Sequence, residues 1–396
     1  MKGWIQAKLA DVVTVQSGSG FPEKHQGHTD HGIPFYKVSD MNIAGNEREM
    51  VSANNTVSED VRRELGASIF PKGSTIFPKI GGAIATNKKR LTTQDCCVDN
   101  NVMGVIPKQG KIDSAFLFYF FLAHDLSEFA NEAHLPSIRK SVVDGWDITL
   151  PMLIPEQQRI VGILDEAFEG IATAKANAEK NLQNARALFE SHLQSVFTKR
   201  GKGWVVRAIS DIAKHSLGKM LDKAKNKGEP RPYLRNINVR WFTFDLSDLL
   251  CMPFLPEESA KYTAVKGDVL ICEGGYPGRA AIWTEDYPIY FQKALHRVRF
   301  HEPSHNKWFV YFLYAQVQSG GLRQHFSGTG IQHFTGEVLA RFEIPLPPVP
   351  ELRRAVVIFD ELLVESQRLS SLYQQKLAAL EALKKSLLQQ AFSGGL

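Results

Sequence analysis

The sequence is poor in cysteine and has no long apolar segment, and each absence excludes a class of protein. The four cysteines have no C-x-x-C spacing, which excludes the usual zinc or redox site and predicts reduced thiols in the cytosol: Cys96, Cys97, Cys251 and Cys272. No apolar run reaches the roughly 20 residues that cross a bilayer. The N-terminal segment lacks the apolar core and cleavage site of a secretory signal. We therefore expect a cytoplasmic protein without membrane contact.

The common catalytic signatures are missing as well. The sequence contains no G-x-x-x-x-G-K-[ST] loop for ATP, no N-P-P-[YF] or D-P-P-[YF] motif of amino-methyltransferases, and no G-x-S-x-G or H-E-x-x-H motif. The 12 histidines are scattered through the chain. The glycines of GSG (18–20) and EGGYPG (273–278) are typical of turns. We therefore predict no catalytic residue, no metal site and no cofactor bound by this chain.

The length and charge of the chain set further bounds. At 396 residues the chain is too long for one ordinary core, so two or more domains are expected. A hydrophobic fraction of 43% with 22% charged residues is typical of a globular protein and excludes a disordered one. The net charge of +5 permits a nucleic-acid partner without requiring one. Local clusters of basic residues must therefore decide that question.

The clearest feature of the sequence is an internal duplication. The segment LIPEQQRIVGILDEAF (153–168) returns as VPELRRAVVIFDELL (349–363), with Pro155-Glu156 matching Pro350-Glu351. Three further pairs of segments match in the same order along the chain: 3–13 with 203–213, 71–77 with 265–271, and 116–122 with 308–314. Each copy is typical of a mixed module of ~150 residues followed by a helix of ~40 residues.

The apolar residues of both helices follow steps of four and three, which is the pattern of a coiled coil. In the first helix this seam consists of Ile160, Leu164, Ala167, Ile171, Ala174, Ala178, Leu182, Ala185, Phe189 and Val196. An offset of 195 positions (350 minus 155) gives the seam of the second helix, which Ser366 and Lys384 interrupt. Two helices of about 60 Å in one chain pack most simply antiparallel. The alternative is that each helix packs only on its own module.

These patterns predict an α+β fold with two pseudo-symmetric globular domains, separated by two long antiparallel coiled-coil helices. The predicted parts are a first globular domain (1–154), a central spacer helix (155–200), a second globular domain (201–349) and a C-terminal spacer helix (350–396). A duplicated helix start behind a proline favours an architectural role for this motif over a catalytic one.

The plan resembles that of the specificity subunit of type I restriction–modification systems over essentially the full chain. The resemblance rests on P-E-Q-Q-R-I-V-x-x-L-D at 155–165, on the G-W openings of both modules and on the duplication. It implies that each globular domain is a target-recognition domain that reads one half of an interrupted DNA sequence. It also implies that the helices fix the spacing of the halves and dock two modification subunits, through Glu156, Gln157, Arg159, Glu351 and Arg354. Leu352 and Arg353 replace the two glutamines in the second copy.

The same resemblance implies the remaining partners. They would be double-stranded DNA, two modification subunits and the restriction subunits. Methyl transfer from S-adenosylmethionine, and ATP-driven translocation with cleavage, would belong to those partner chains. Two other hypotheses stay open at this point: a two-headed protein–protein scaffold, and a stand-alone DNA-modifying enzyme with unrecognised motifs.

Basic and amide-rich clusters in both modules are the candidates for DNA contacts. Arg and Lys neutralise phosphates, whereas Arg, Asn and Gln can also form bidentate contacts with base edges. The candidates in the first module are Lys79, Lys88, Lys89, Arg90, Arg139 and Lys140. Those in the second module are Lys223, Lys225, Arg235, Asn238, Arg240, Arg297, Gln332 and His333. We expect base contacts mainly from Arg139, Arg235, Asn238, Gln332 and His333, and phosphate contacts mainly from Lys88, Lys89, Lys223 and Lys225.

Overall fold

A computed structural model describes residues 3–222, 224–328 and 332–396. The chain folds into two compact units, of which the first is built from two segments and the second from one. Unit 1 consists of Met1–Ala178 with Gln375–Leu396, and unit 2 is Glu179–Gln374. Each unit therefore contains one globular module together with part of both long helices. The sequence analysis instead treated the helices as separate parts, with boundaries at 154/155, 200/201 and 349/350.

The two long helices run from Ile154 to Thr198 and from Val349 to Ser393, and each has 45 residues. We call them the first and second long helix. Pro155 and Pro350 lie in the first turn, where the missing N–H of proline leaves no helical hydrogen bond unmade. All ten predicted seam positions of the first helix are buried or half-buried, and so are the ten matching positions of the second helix.

Within each unit, parts of the two long helices pack against each other in antiparallel directions. In unit 1, Lys175 pairs with Glu381 at 2.8 Å, and the ammonium of Lys384 lies 5.0 Å from the centre of the Phe168 ring. In unit 2, the Ser366 hydroxyl donates to the carbonyl of Ala185 at 2.9 Å, and the ring centres of His192 and Phe359 lie 5.9 Å apart. Residue numbers thus fall along one helix as they rise along the other. The predicted antiparallel packing is confirmed.

Both residues that interrupt the predicted seam have a partner on the facing helix. Ser366 places a hydroxyl at a position where the seam predicts an apolar residue, and this hydroxyl binds a backbone carbonyl of the first long helix. Lys384 lays its ammonium over the Phe168 ring, where a cation–π attraction replaces apolar contact. The two departures from the apolar pattern are therefore compatible with helix packing.

The module of unit 1 consists of three small sheets and short helices. The five-stranded sheet has the order Val13–Ser17, Val102–Pro107, Thr75–Pro78, Arg90–Thr92, Glu49–Met50. A three-stranded sheet contains Thr56–Val57, Ile33–Tyr36 and Cys97–Val98, and Trp4–Lys8 pairs with Asp147–Pro151. The α-helices of the module are Leu9–Val12, Glu59–Glu64, Ser114–Ala123 and Lys140–Asp144. Short 3-10 helices lie at Glu23–His25, Val38–Asn42, Gly81–Thr86 and Leu126–Phe129.

The module of unit 2 repeats this plan. One four-stranded sheet has the order Ala213–Leu217, Leu295–Phe300, Val269–Cys272, Ala280–Ile282, and a second has the order Leu250–Phe254, Glu229–Leu234, Ile289–Phe291, Thr263–Ala264. Val205–Ala208 pairs with Glu343–Leu346, and Val239–Arg240 pairs with Thr243–Phe244. The α-helices are Ile209–Ile212, Ser259–Tyr262, His305–Gln318 and Gly336–Arg341, with 3-10 turns at Asn236–Asn238, Pro256–Glu258 and Gly321–His325. The matched segments 71–77 and 265–271 both feed a central strand. Together with the long helices, this confirms the predicted α+β class with two related modules.

An apolar helix in each module holds the neighbouring long helix. In unit 1, the helix Ser114–Ala123 is buried from Phe116 to Phe121 and packs on Ile160 and Leu164 of the first long helix. In unit 2, His305–Gln318 packs in the same way on Phe359 of the second long helix. We call these two the aromatic helices. They join the modules and the long helices into continuous cores.

A matched pair of tyrosine–aspartate hydrogen bonds reinforces this attachment. In unit 1, the Tyr119 hydroxyl donates to Asp165 at 2.5 Å, and Arg48 pairs with the same carboxylate at 2.7 Å. In unit 2, Tyr311 donates to Asp360 at 2.6 Å. The duplicated aspartates are therefore attachment points for the aromatic helices, which the sequence did not predict. Burial, followed by the hydrogen bond to Asp165, raises the pKa of Tyr119 above its usual range, so the hydroxyl keeps the proton that it donates.

Among the helices that the structure describes, none is both long and apolar enough to cross a membrane.

Candidate nucleic-acid interface

Two loops meet at one edge of the unit 1 module and bring three of the predicted basic residues together. The amide of Ile138 donates to the carbonyl of Lys79 at 2.9 Å, and the amide of Gly81 donates to the carbonyl of Pro136 at 2.7 Å. Arg139 and Lys140 follow directly and are exposed. Segments that are 60 residues apart in sequence (139 minus 79) thus form one basic edge. We call it the unit 1 loop edge.

The structure corrects two of the predicted DNA contacts next to this edge. Lys89 is only 2% exposed, and its ammonium donates to the backbone carbonyl of His124 at 2.8 Å. Burial lowers the pKa of Lys89 to about 8. Arg90 is 8% exposed and donates to the carbonyl of Met41 at 2.9 Å. Both cations are held inside the module and so cannot reach a phosphate, whereas half-buried Lys88 donates to Asn42 nearer the surface.

Unit 2 has the equivalent loop edge. The loop after the strand Val269–Cys272 forms a bridge from Gly274 to His333, as Ile80 bridges to Ser137 in unit 1. The amide of Phe334 donates to the carbonyl of Glu273 at 2.7 Å. Gln332 is exposed here and His333 is half-buried, so both predicted residues lie at this edge. We call it the unit 2 loop edge.

Three other predicted contacts in unit 2 are structural in this fold. Asn238 is 2% exposed, and its amide donates to the carbonyls of Asp245 and Asp248 at 3.0 Å each. Arg297 is 8% exposed and donates to the carbonyl of Thr263 at 2.6 Å. Because their polar groups already bind the backbone of the module, these two assignments are wrong. Arg235 is mostly covered and pairs with Asp248 at 2.6 Å, which makes it a residue that positions a loop.

Of the remaining basic candidates of unit 2, two are exposed and one lies outside the described residues. The side chain of Lys225 is 86% exposed, with Asp222 at 3.7 Å. Arg240 is exposed and faces Asp245 at 3.5 Å. Lys223 lies outside the described residues. Lys225 therefore stays a prediction for a phosphate contact, and Arg240 stays a prediction for a DNA contact.

The sequence analysis missed two side chains on the unit 2 loop edge. Between the strands Val269–Cys272 and Ala280–Ile282, a tight turn presents Tyr276, which is 56% exposed, and Arg279. The guanidinium of Arg279 lies 3.8 Å from the centre of the Tyr276 ring and donates to the carbonyl of Asn236 at 2.9 Å. The sequence analysis explained the EGGYPG motif as a turn alone. The signal was the aromatic residue among its glycines, with an arginine directly after them.

The predicted partner-binding residues also separate into exposed and structural ones. Arg159 pairs with Glu156 at 2.8 Å on the exposed face of the first long helix, and Arg354 is exposed on the second. Gln157 is fully buried, and its side-chain carbonyl accepts from the backbone amide of Asp113 at 2.7 Å. Its side-chain amide donates to the backbone carbonyl of Pro151 at 2.8 Å. Gln157 therefore attaches the helix to its own module, and its assignment as a partner contact is wrong.

At the second helix start, Glu351 is engaged within the chain. Its carboxylate accepts from the indole N–H of Trp204 at 3.0 Å. Leu352, which takes the place of Gln157, is fully buried in the unit 2 core. The second copy thus secures its helix through a tryptophan–glutamate hydrogen bond and apolar packing, where the first copy uses an amide.

Among the residues that the structure describes, one group of metal-ligating residue types occurs, in a loop of unit 1. The ligand atoms of His28, Asp30 and His31 lie within 4.8 Å of one another, and all three side chains are exposed. The scattered histidines of the sequence did not predict this proximity. The expectation that the chain holds no metal stays a prediction.

Comparison with known proteins places the duplicated plan in a family. A family model described as the type I restriction modification DNA specificity domain matches residues 1–183 and again 201–382. The type I restriction enzyme MjaIX specificity subunit of Methanocaldococcus jannaschii is 23% identical over 260 residues, which cover 60% of this chain and 56% of that protein. The MjaVIII specificity subunit of the same organism is 25% identical over 191 residues, or 46% of this chain and 43% of that protein. The chain thus spans about half the length of these relatives.

Solved structures share the fold over the whole chain. The HsdS subunit from Thermoanaerobacter tengcongensis has a TM-score of 0.64 and 18% identity, covering 100% of this chain and 98% of that one. A chain from a study of complex assembly and conformational transition of the type I R-M system has a TM-score of 0.78 and 18% identity, with coverage of 100% and 99%. The two family matches confirm the internal repeat and the resemblance noted in the sequence. The chain therefore belongs to the type I restriction modification DNA specificity domain family and carries two copies of that domain.

Proposed function

We propose that this chain is the non-catalytic, DNA-binding specificity subunit of a type I restriction–modification complex. Each module reads one half of a bipartite double-stranded target. The observation that carries this proposal is the repeated loop edge, which occurs at the same place in both modules and presents exposed basic or amide side chains in each. A duplicated reader with different side chains suits a target with two different half-sites.

The chemistry of the two edges suits DNA. Arg139 and Lys140 on the unit 1 loop edge are exposed cations. Cations supply the sequence-independent part of DNA affinity, and arginine also reads guanine in the major groove. On the unit 2 loop edge, the exposed amide of Gln332 can bind adenine. Side chains that project from loops held by a sheet reach base edges without moving the fold.

The long helices act as a spacer and as the docking surface for two modification subunits. Two readers on one face of B-DNA need half-sites roughly 34 Å apart, or a multiple of that distance. Paired helices hold such a separation, whereas a flexible linker would let it vary. Exposed Arg159 and Arg354, together with half-buried Glu156, lie on helix faces that are open to a partner.

Catalysis belongs to the partner subunits. Modification subunits would bind S-adenosylmethionine and transfer its methyl group, while restriction subunits would use ATP. The absence of the corresponding motifs from this sequence supports that division of labour. We place the complex in the cytoplasm, where reduced cysteines and genomic DNA occur together.

Salt dependence of binding tests the DNA-binding role. The purified chain, with its modification subunits, is titrated with duplex DNA at several salt concentrations. Counterion release predicts a linear fall of log affinity with log salt, with a slope of about −0.9 for each phosphate neutralised. Affinity that does not change with salt, or no binding to DNA, would support the protein–protein scaffold instead.

A second assay tests the non-catalytic role. The chain alone is incubated with DNA and labelled S-adenosylmethionine, and separately with Mg²⁺ and ATP. We expect no methylation and no cleavage without the partner subunits. Reproducible activity of the chain alone would establish a stand-alone enzyme and refute the division of labour.

A further inference from the structure

The turn that carries Arg279 is built so tightly that its residues have fixed positions. Gly275 has φ of +76°, and a Cβ there would lie 2.6 Å from the side-chain amide of Asn236. Gly278 has φ of +84°, and a Cβ there would lie 2.3 Å from Leu322. Only glycine meets both demands, positive φ and close approach. A backbone hydrogen bond joins the two ends of the turn, because the amide of Gly278 donates to the carbonyl of Cys272 at 3.0 Å.

The surroundings of Arg279 fix the plane and the position of its guanidinium group. Its guanidinium lies over the Tyr276 ring at 3.8 Å and donates to the carbonyl of Asn236 at 2.9 Å. The side-chain amide of Asn236 in turn donates to the carbonyl of Gly274 at 3.1 Å. A guanidinium has five N–H donors, so these contacts fix its plane and leave donors for a ligand. The side chain is half-buried beside a cavity of ≈ 380 Å³ that Tyr276 and Arg323 also line.

We propose that Arg279, stacked on Tyr276, reads a guanine in the half-site that unit 2 recognises. This inference rests on the proposed function. A planar arginine whose orientation is fixed suits the two acceptors, N7 and O6, that guanine presents in the major groove. A phosphate contact needs charge but no such orientation, and exposed Lys225 in the same unit supplies charge of that kind. The unit 1 loop edge has glycine and alanine at 81–83 in the matching turn, so the two modules read their half-sites by different means.

The test compares the sequence preference of variants in full-length complexes. The wild-type chain and its variants, each with modification subunits, select DNA from a randomised duplex library, and the bound DNA is sequenced. We expect Arg279→Ala to lower the preference for guanine at one position of one half-site by about tenfold or more. The other half-site should stay unchanged. Arg279→Lys keeps the charge but loses the planar fork, so it should not restore the preference.

Matched variants separate base reading from other roles. Tyr276→Phe keeps the stacked ring and should behave like the wild type, whereas Tyr276→Ala should weaken the same guanine preference. Arg207→Ala, at an exposed arginine on the strand Val205–Ala208, is the control and should change nothing. Thermal unfolding of each variant checks its fold. If Arg279→Ala does not fold, the guanine preferences of Arg279→Lys and Tyr276→Ala decide whether Arg279 reads a base.

The outcomes discriminate between the two proposals. A uniform loss of affinity with an unchanged motif, rescued by Arg279→Lys, would make Arg279 a phosphate contact and overturn the inference while leaving the proposed function intact. An unchanged motif and affinity in Arg279→Ala would overturn it as well. If the wild-type complex selects no motif at all, the proposed function itself fails.

Discussion

Lys89 illustrates how a residue that resembles a surface charge in sequence can belong to the interior. It stands in the run NKKR, where each cation has the same apparent chance of meeting DNA. In the fold, its neighbour Lys88 stays nearer the surface while Lys89 is 2% exposed. Charge type alone does not reveal which side chain faces inward. The next residue, Arg90, is also buried, so no alternation of exposed and buried positions marks Lys89 in the sequence.

The buried position of Lys89 predicts a pH dependence of stability. Its pKa falls from 10.5 to about 8 on folding, so the unfolded state holds more protons between these two values. The free energy of unfolding therefore rises with pH across this window, as the cost of burying a charge is relieved. Urea denaturation of wild type and Lys89→Met at pH 7.5 and pH 10 measures the difference. The rise should vanish in Lys89→Met but persist in Lys140→Met, the control at an exposed lysine.

At the scale of elements, the start of each long helix is where the two copies differ most in chemistry. Gln157 accepts from the amide of Asp113, which is also the N-cap of the first aromatic helix. Leu352, at the matching position, attaches the second long helix to its module through apolar packing alone. The repeat motif predicted the helix and its start. It could not reveal that the glutamine faces the module, because a polar residue at a helix start is usually exposed.

Replacing the amide by the residue of the other copy tests this attachment. Gln157→Leu leaves the half-buried amide of Asp113 without its acceptor and the buried carbonyl of Pro151 without its donor. We expect a loss of about 1–3 kcal/mol in the free energy of unfolding. Urea denaturation provides the measurement. Gln158→Leu is the control, because Gln158 is exposed and donates to Asp113 only at 3.4 Å. Equal effects of the two substitutions would contradict a structural role specific to Gln157.

The tyrosine–aspartate pairs predict a second effect at the same scale. Asp360→Ala leaves the Tyr311 hydroxyl, which the module largely covers, without its acceptor at 2.6 Å, and it also removes the partner of Lys307. We expect unfolding to become easier by about 1–3 kcal/mol. Glu361→Ala changes the exposed neighbouring carboxylate and should be nearly neutral. A thermal midpoint of Asp360→Ala equal to that of Glu361→Ala would argue against the attachment.

At the scale of the whole molecule, the architecture was predictable because the sequence contains two copies of the same plan. Two copies of a module and a helix gave independent support for every matched element, and the heptad-like seam identified the faces that pack. The loop edges were predictable only in part. Arg139 and Gln332, which the sequence analysis named as candidates for base contacts, lie on these edges. Arg279 depends on a turn whose geometry arises from contacts with Asn236 and Leu322, which are far away in sequence.

The spacer role of the helices leads to a prediction for the preferred DNA gap. Inserting four residues after Ala178 and four after Tyr373 lengthens both helices by about 6 Å and rotates the helix beyond each insertion by about 40°. We expect the complex to prefer a different gap between the half-sites, with each half-site sequence unchanged. Insertions of seven residues retain the seam register and should give the larger and cleaner change in gap. An unchanged gap in both variants would refute the spacer role.

The measurement that tests the central claim most directly is a map of methylated bases in DNA exposed to the chain with its modification subunits. The account predicts a single bipartite motif, with two defined half-sites separated by a gap of fixed length. It further predicts that substitutions in one module change only one half-site. Methylation without a bipartite motif, or a stable complex that methylates no DNA, would contradict the claim that this chain determines the target sequence.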